Sequence, residues 1–318
     1  MDEGEGERTW RKKHNVSPSP PAYRQAGNPL PCLRRSGFAQ AGVKGEGKFS
    51  LKEYETIGGK MTFRYTMIGA AICIFIFYFG LLASLLFSTS LKGFWESLVH
   101  PSTLFSIRLS LIAATLATLF AVVIGLPSAY ALSRFKFRGK QIVDTFLEIP
   151  IIMSPIALGA SFLVFFNTPL GEVIQRKGIF FVFEFPGIIL AQFATIAGLA
   201  TRLMKASLDE ISPRYEAVAR SLGSSSWQAF YRVTLPLSFR GLLAAVILSW
   251  AKAAGEFGAT VTLAGAMPGK TETMPIAIFT ALASANIEKA IVLILILVFL
   301  GLVALYAVRF TGKIYRYD

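Results

Sequence analysis

Six long, mostly apolar stretches constrain this chain more than any other feature of its sequence. They lie at 66–88, 104–132, 147–166, 186–204, 240–264 and 288–310. A transmembrane α-helix needs about 20 consecutive, mainly apolar residues to cross the hydrocarbon core of a bilayer. The composition agrees, because only 16% of the residues are charged, against about 25% in soluble domains. The sequence therefore predicts an all-α integral membrane protein with six transmembrane helices.

The basic residues predict the orientation of these helices. Lys and Arg accumulate before Arg64, after the second and fourth spans, and at the C-terminus, whereas the other connections hold few of them, such as Lys92 and Lys270. Basic residues concentrate in cytoplasmic loops. We therefore predict a multi-pass membrane protein with both termini, and the second and fourth connections, in the cytoplasm. The same loops account for the formal net charge of +13, so we expect no nucleic-acid partner.

The spans divide the chain into four regions. Residues 1–60 are polar, basic and rich in Pro, Gly and Ser, a composition that predicts a disordered tail. An alternative interpretation is that this tail comes from an upstream start site, since the apolar sequence begins soon after Met61. Residues 61–100 contain the first span and an external loop. Residues 101–310 form the main transmembrane domain, and 311–318 form a cytoplasmic C-terminus.

Residues suited to bond-making chemistry are sparse. The chain has two cysteines, Cys32 and Cys73, and two histidines, His14 and His100. Their positions fit neither a disulfide framework nor a metal-binding motif. No serine, histidine and aspartate set, and no cysteine and histidine pair, is evident. The sequence therefore predicts no catalytic residue, no metal and no cofactor in this chain.

One stretch, LAGAMPGKTE at 263–272, is close to a phosphate-binding loop. That loop has four residues between its first Gly and the Gly-Lys-Thr, whereas three residues separate Gly265 from Gly269. The loop also needs a strand before it and a helix after it, and here an apolar span comes first. We interpret 263–272 as a turn outside the fifth span, on the side away from ATP.

The connection 212–236 contains signals for a compact helical hairpin. Ser212 followed by Pro213 is typical of a helix start, and Gly223 suits a left-handed helix stop. A second short helix is expected over 226–232. The first helix would expose apolar residues, namely Ala217, Val218 and Leu222. These residues alone leave two interpretations open, docking to a protein and contact with the lipid interface.

This connection resembles the EAA loop of importer-type ABC transporter permeases. The family pattern is Glu-Ala-Ala, three residues, Gly, nine residues, and Ile-x-Leu-Pro. Here nine residues separate Gly223 from the sequence Val-Thr-Leu-Pro at 233–236. The front end departs from the pattern, because Ala217 occupies the position of the family's glutamate and Glu216 stands one residue early. We therefore expect Glu216 to matter less than Gly223.

The resemblance implies a coupling function for this loop. In the family it forms a helix that sits in a groove of a separate ATPase subunit. The residues implied in ATPase coupling are Glu216, Ala217, Val218, Ala219, Gly223, Leu235 and Pro236. The implied partners are two ATPase copies, an external oxyanion-binding protein, a second copy of this chain, and membrane lipid. The resemblance also implies the type I ABC importer permease fold and a location in the bacterial inner membrane.

The resemblance covers about 100–310 and sharpens at 251–282. There GEFGAT and a PGxTxTxP-like turn are similar to molybdate permeases, and sulfate permeases have a similar GEFG segment. The implied function is ATP-driven import of a tetrahedral oxyanion, most closely molybdate, with sulfate or tungstate as alternatives. A stand-alone ion-coupled carrier is the alternative from another class, and it would not need the hairpin at 212–236.

Two charges inside the fifth span point to a translocation path. Lys252 and Glu256 are four residues apart, so in a helix they share a face and can pair. Each costs about 2.5–3.5 kcal/mol on insertion scales, and such residues usually face a bundle interior or a water-filled cavity. The alternative is a pair that only neutralises itself. The residues predicted to line the path are Lys252, Gly255, Glu256, Gly258, Thr260, Pro150 and Pro155.

Overall fold

The computed structural model describes residues 51–313 except 89, 177 and 179, and all regular structure in them is helical. The helices are α1 (Leu51–Phe87), α2 (Leu91–Val99), α3 (Pro101–Arg134), α4 (Lys140–Phe146), α5 (Ile149–Ile152), α6 (Pro155–Phe166), α7 (Pro169–Arg176), α8 (Phe185–Asp209), α9 (Arg214–Ser221), α10 (Ser226–Ala229), α11 (Leu235–Ala254), α12 (Gly258–Ala264), α13 (Met274–Ala283) and α14 (Ile287–Lys313). A π-helical turn, Phe230–Thr234, joins α10 to α11. The prediction of an all-α chain is confirmed for these residues.

The chain divides after Gly69 into two units. The first unit contributes the described part of α1 up to Gly69, and the second contains the helices that follow. Of the tail predicted at 1–60, residues 1–50 lie outside the described residues, and residues 51–60 are the first part of α1. Of the predicted C-terminus, residues 311–313 end α14 and 314–318 lie outside the described residues.

Five helical segments in the described residues are long and apolar enough to cross a membrane. They are Thr62–Phe87, Pro101–Arg134, Phe185–Asp209, Ser226–Ala254 and Ile287–Phe310. A sixth crossing results if Lys140–Ile152 and Pro155–Phe166 are taken as one span with a bend of 109°. The third span, predicted at 147–166 with two prolines inside it, is therefore sharply bent between α5 and α6. Pro155 has no N–H to donate to the preceding turn, so α6 begins afresh at this residue.

The fifth crossing helix also differs from the predicted range 240–264. It begins at Ser226 and ends at Ala254, and α12 starts only after a break at 255–257. At its beginning, Pro236 cannot donate a hydrogen bond to the turn before it. That turn is widened, and the Leu235 N–H donates to the carbonyl of Phe230, five residues earlier. The π-helical turn therefore carries the helix past the proline without a break.

Small residues let the central helices approach one another closely. Buried alanines of α3, such as Ala117 and Ala121, share one core with Ile196 and Ala200 of α8 and with residues of α11. At Gly125, a Cβ atom would come within 2.8 Å of the Met204 side chain. Small residues at helix contacts let the helix backbones pack closely, as is common in membrane proteins. This core fixes α3, α8 and α11 as the centre of the bundle.

Contacts from the two ends of α3 sort the connections into two groups. Near its beginning, the Ser110 hydroxyl accepts a hydrogen bond from the Met274 N–H at 2.6 Å. At its end, the Arg134 guanidinium donates to the Glu216 carboxylate at 2.8 Å. The turn at 263–272 and the connection 212–236 therefore lie at opposite ends of the bundle, as the predicted topology requires. Which end faces the cytoplasm stays a prediction.

Candidate functional site

The connection 212–236 folds as a helical hairpin, and its first helix ends as predicted. Gly223 has φ +89°, a conformation that glycine adopts readily. The Gly223 N–H donates to Arg220 O at 3.0 Å, and the Ser224 N–H donates to Ala219 O at 3.1 Å. These two bonds form a Schellman motif, which satisfies the last carbonyls of α9. The predicted left-handed stop at Gly223 is confirmed.

The second arm of the hairpin differs from the short separate helix expected over 226–232. Ser225 and Gln228 form a capping box, because the Gln228 N–H donates to the Ser225 hydroxyl at 3.2 Å and the Ser225 N–H donates to the Gln228 side chain at 2.9 Å. Helix α10 then continues through the π-helical turn into α11. The second arm is therefore the end of a crossing helix, so a displacement of the hairpin acts directly on the bundle.

The outer side of the hairpin exposes large apolar side chains. We call this surface the hairpin face, and it consists of Tyr215, Val218, Leu222, Trp227 and Tyr231. The Leu222 side chain is 82% exposed, and the rings of Trp227 and Tyr231 stack at 5.9 Å. Contiguous apolar patches on a protein surface mark contact sites for protein or lipid.

The residues predicted to couple to an ATPase do not share one environment. Ala217, Val218, Gly223 and Pro236 are exposed, and Ala219 and Leu235 are half-buried. Glu216 is buried and faces the opposite way, toward the bundle. Most of the predicted residues therefore lie on the outer surface of the hairpin or where α11 begins. Glu216 is separated from these residues.

Glu216 is the centre of a buried hydrogen-bonded group. Its carboxylate accepts hydrogen bonds from Arg134 Nε at 2.8 Å, from the Tyr130 hydroxyl at 3.0 Å and from the Thr234 hydroxyl at 2.6 Å. We call these four residues the Glu216 cluster. Burial raises the pKa of Glu216, but the hydrogen bonds from Thr234, Arg134 and Tyr130 outweigh it and hold the pKa below the ordinary glutamate value. Glu216 is therefore a carboxylate at neutral pH.

Arg134 extends this cluster to the end of α8. Its Nη2 atom donates to Leu208 O at 3.0 Å and to Ile211 O at 2.8 Å. The arginine thereby joins α3, α8 and α9 at one end of the bundle. Tyr130, Arg134 and Thr234 were not predicted as site residues. The low importance expected for Glu216 stays a prediction, made without knowledge of these buried contacts. Tyr130 and Arg134 lie outside the loop that was compared with the family pattern, so that comparison could not identify them as partners of Glu216.

The second candidate site is the break at 255–257. The Glu256 side chain is 2% exposed, and its Oε2 atom lies 3.6 Å from Lys252 Nζ. The predicted pairing of these residues is confirmed, although Glu256 lies beyond the end of α11. Its Oε1 atom accepts a hydrogen bond from the Ala259 N–H at 3.1 Å. Glu256 therefore also caps the first turn of α12.

Helix α6 packs against this break through glycines. A Cβ atom on Gly159 would lie 2.8 Å from Ala259 O, and one on Gly258 would lie 3.0 Å from the Pro155 side chain. The structure therefore brings Pro155 and Gly258 together. Pro150 lies in α5, on the other side of the 109° bend from Pro155. Beside it, Glu148 pairs with Arg202 of α8.

The remaining predicted path residues differ in exposure. Thr260 is fully buried, whereas Gly255 is exposed and the Lys252 side chain is 50% exposed. The exposed and the buried members of the predicted path therefore have different surroundings. Their part in translocation stays a prediction.

The turn at 263–272 does not have the form of a phosphate-binding loop. It connects two helices, α12 and α13, rather than a strand and a helix. Gly265 and Gly269 have φ values of +75° and +73°. The Thr271 hydroxyl accepts a hydrogen bond from the Met267 N–H at 3.1 Å, and Lys270 pairs with Glu184. The side chains that would hold phosphate and metal in such a loop are therefore engaged elsewhere, Thr271 by Met267 and Lys270 by Glu184.

Metal ligands do not cluster in the part of the chain that the structure describes. Over 51–313, apart from its three gaps, no group of three or more His, Cys, Asp or Glu residues could hold a metal ion. Charged side chains of the two candidate sites instead form ion pairs, Arg134 with Glu216 and Lys252 with Glu256.

The described residues combine apolar crossing helices with a helical hairpin at one end, an arrangement that fits a membrane permease. Residues 121–313 match the family described as "Binding-protein-dependent transport system inner membrane component". The chain belongs to this family and is a permease subunit of an ABC importer.

Two relatives and one solved structure illustrate the similarity. The molybdenum transport system permease protein ModB of Escherichia coli (strain K12) is 32% identical over 215 residues, which cover 66% of this chain and 94% of that protein. The sulfate transport system permease protein CysW of the same strain is 36% identical over 195 residues, which cover 60% and 67%. A bacterial alginate ABC transporter, solved in complex with an alginate pentasaccharide-bound periplasmic protein, has a TM-score of 0.66 at 18% identity and covers 83% of this chain and 96% of its own. The predicted type I importer fold is confirmed.

Proposed function

We propose that this chain is the permease subunit of an ATP-driven importer whose substrate is a tetrahedral oxyanion, most closely molybdate. The observation that carries the proposal is the similarity to a molybdenum permease along 94% of that protein's length. Sulfate is the second candidate, because a sulfate permease is 36% identical over a shorter region. Tungstate resembles molybdate in shape and charge and is tested with it.

ATP is hydrolysed, in this proposal, by two copies of a separate ATPase subunit that dock on the hairpin face. The exposure of Leu222, Trp227 and Val218 supports this, because such a patch is costly to leave in water. The described turn at 263–272 lacks the geometry of a phosphate-binding loop, so we do not propose it as an ATP site. Two copies of the permease and an external oxyanion-binding protein complete the proposed transporter.

At the break in the fifth crossing helix, we assign different roles to the exposed and the buried residues of the proposed path. Lys252 and Gly255 are exposed, so they are the residues suited to face a passing anion. Glu256 and Thr260 are buried, and Glu256 caps α12. In this proposal the buried residues hold the break in shape and the half-exposed ammonium of Lys252 faces the path.

Uptake into vesicles tests the substrate and the energy source. Vesicles that contain the permease, its ATPase and the binding protein should accumulate radiolabelled molybdate only when ATP is present. An excess of tungstate should compete strongly and an excess of sulfate weakly. Uptake that needs no ATP and disappears with an ionophore would instead support the ion-coupled carrier.

A pair of matched variants tests the docking surface. Leu222→Asp places a charge on the hairpin face and should abolish copurification of the ATPase, because burying an unpaired carboxylate is unfavourable. Phe137→Asp changes an exposed apolar residue of the 135–139 connection, outside the hairpin face, and should leave copurification intact. Equal copurification of both variants would show that the ATPase docks elsewhere.

A further inference from the structure

We infer that the Glu216 cluster transmits the displacement of the hairpin to the helix bundle, and that its four members are positioning residues for transport. The inference rests on the proposed function, because it needs an ATPase that moves the hairpin. Docking occurs on the hairpin face, whereas the cluster lies on the inner side of the same hairpin. The two surfaces can therefore be changed separately.

The first step of the argument is where the donors come from. Glu216 belongs to α9, the first arm of the hairpin, and Thr234 ends the π-helical turn of the second arm. Tyr130 and Arg134 belong to the last turns of α3. One carboxylate therefore joins both arms of the hairpin to a central helix of the bundle.

The second step is the strength of the link. The Arg134 and Glu216 side chains are 6% and 9% exposed. Hydrogen bonds between ionised groups are shorter and stronger than neutral ones. Removing one partner of a buried pair also leaves an uncompensated charge, which is strongly unfavourable. The hairpin and the end of α3 are therefore held as one body while the ATPase moves the hairpin.

The third step is how the movement spreads. Arg134 also donates to the carbonyls of Leu208 and Ile211 at the end of α8. The Tyr130 ring packs edge-on against Phe230 of the π-helical turn, with 4.8 Å between ring centroids. A displacement of α9 is therefore passed to α3, α8 and α11 together. These three helices form the central core of the bundle.

The length of the Glu216 side chain is the quantity to test. Aspartate keeps the charge and its attraction to Arg134, but it is shorter by one carbon–carbon bond, about 1.5 Å. A carboxylate withdrawn by that amount cannot hold all three donors at hydrogen-bond distance. Glu216→Asp should therefore preserve the fold of the hairpin and loosen its link to the bundle.

The experiment compares Glu216→Asp with Glu210→Asp, a matched change at an exposed glutamate near the end of α8. Each permease is purified with its ATPase and placed in proteoliposomes with the binding protein and molybdate. Glu216→Asp should copurify the ATPase normally and hydrolyse ATP at a near-normal rate. Molybdate imported per ATP should fall about tenfold, the effect of losing one charged hydrogen bond. Glu210→Asp should match the wild type.

Two further variants keep the test decisive if Glu216→Asp does not fold. Tyr130→Phe removes one donor and keeps the ring packed on Phe230, and Thr234→Val removes the other hydroxyl with little change of shape. Both should lower molybdate per ATP in the same direction with normal ATPase binding. Unchanged molybdate per ATP in these variants, or ATPase binding lost in parallel with transport, would overturn the inference. If the wild type itself binds no ATPase, the proposed function fails instead.

Discussion

Replacement of Gly223 by a β-branched residue should disable the hairpin while the membrane helices still insert. Gly223 has φ +89° and completes the Schellman motif that ends α9. A Cβ atom at this position would meet no atom within 4 Å. Steric contact with neighbours therefore contributes nothing, and the whole effect comes from the backbone conformation.

The size of the effect follows from that conformation. A left-handed backbone costs an ordinary L-residue roughly 1–2 kcal/mol, whereas asparagine adopts it more readily. A cost of about 1–2 kcal/mol lowers the ratio of correctly to incorrectly formed hairpin about 5- to 30-fold. Val is branched at Cβ and lies at the upper end. We therefore expect ATPase binding to weaken in the order Asn, Ala, Val at position 223.

Gly139 provides a matched control at the same end of the bundle. It has φ +86°, and a Cβ atom there also meets no atom within 4 Å. Gly139→Val thus carries a comparable backbone cost, but it acts where α4 begins and not in the hairpin. Titration of purified permease with the ATPase should show weaker binding for Gly223→Val and unchanged binding for Gly139→Val.

Two results would refute this reasoning. Tight ATPase binding and normal uptake by Gly223→Val would show that the hairpin is not the docking element. Equal loss of binding in Gly139→Val would show that the assay reports general instability of the protein. The graded series at position 223 adds a further check, because a steric effect would not rank Asn above Ala.

The remaining predictions concern topology, pH and the break at 255–257. A reporter fused near Lys270 should lie outside the cytoplasm and one near Ser225 inside, and Lys270→Ala should leave ATP hydrolysis by the assembled transporter unchanged. Because the pKa of Glu216 is lowered in the folded protein, its ionised carboxylate stabilises the hairpin at every pH above the ordinary glutamate pKa. That stabilisation is lost as the pH falls through the lower pKa of the folded state. The rate of hairpin proteolysis should therefore be constant from neutral pH to about pH 5 and increase only in stronger acid. Glu256→Gln keeps an oxygen to cap α12 and should preserve thermal stability, whereas Glu256→Ala should cost about 0.5–2 kcal/mol. Lys252→Met should lower molybdate uptake with unchanged ATPase binding, and normal uptake would exclude Lys252 from the path.

The helices of the bundle could largely be predicted from the sequence because they depend on local composition. A run of apolar residues predicts a span wherever it lies, and the stop at Gly223 follows from one residue type. Pro150 and Pro155 indicate a kink in the third span, but the 109° size of that bend and the break before Gly258 could not be predicted, because hydrophobicity alone continues through both. Their presence depends on backbone hydrogen bonds that apolar periodicity does not report.

The Glu216 cluster could not be predicted because its members meet only in the folded chain. Arg134 and Tyr130 lie 82 and 86 residues before Glu216. Comparing the loop with a family pattern gives a register, and by that register Glu216 is out of place. The side chain is nevertheless oriented by the turn of α9, which directs it inward while Val218 points outward.

The break in the fifth crossing helix changes the electrostatic environment of the two charged residues beside it. In an unbroken helix, Lys252 and Glu256 would be two charges placed at a cost inside an apolar segment. In the broken helix, Lys252 lies in the last turn of α11, near the partial negative charge of that helix terminus. Glu256 lies just before α12, whose first N–H groups carry partial positive charge. Each side chain complements the macrodipole of one helix. A conformational change that straightened 252–260 would remove both complements at once, so the charges themselves favour the bent state.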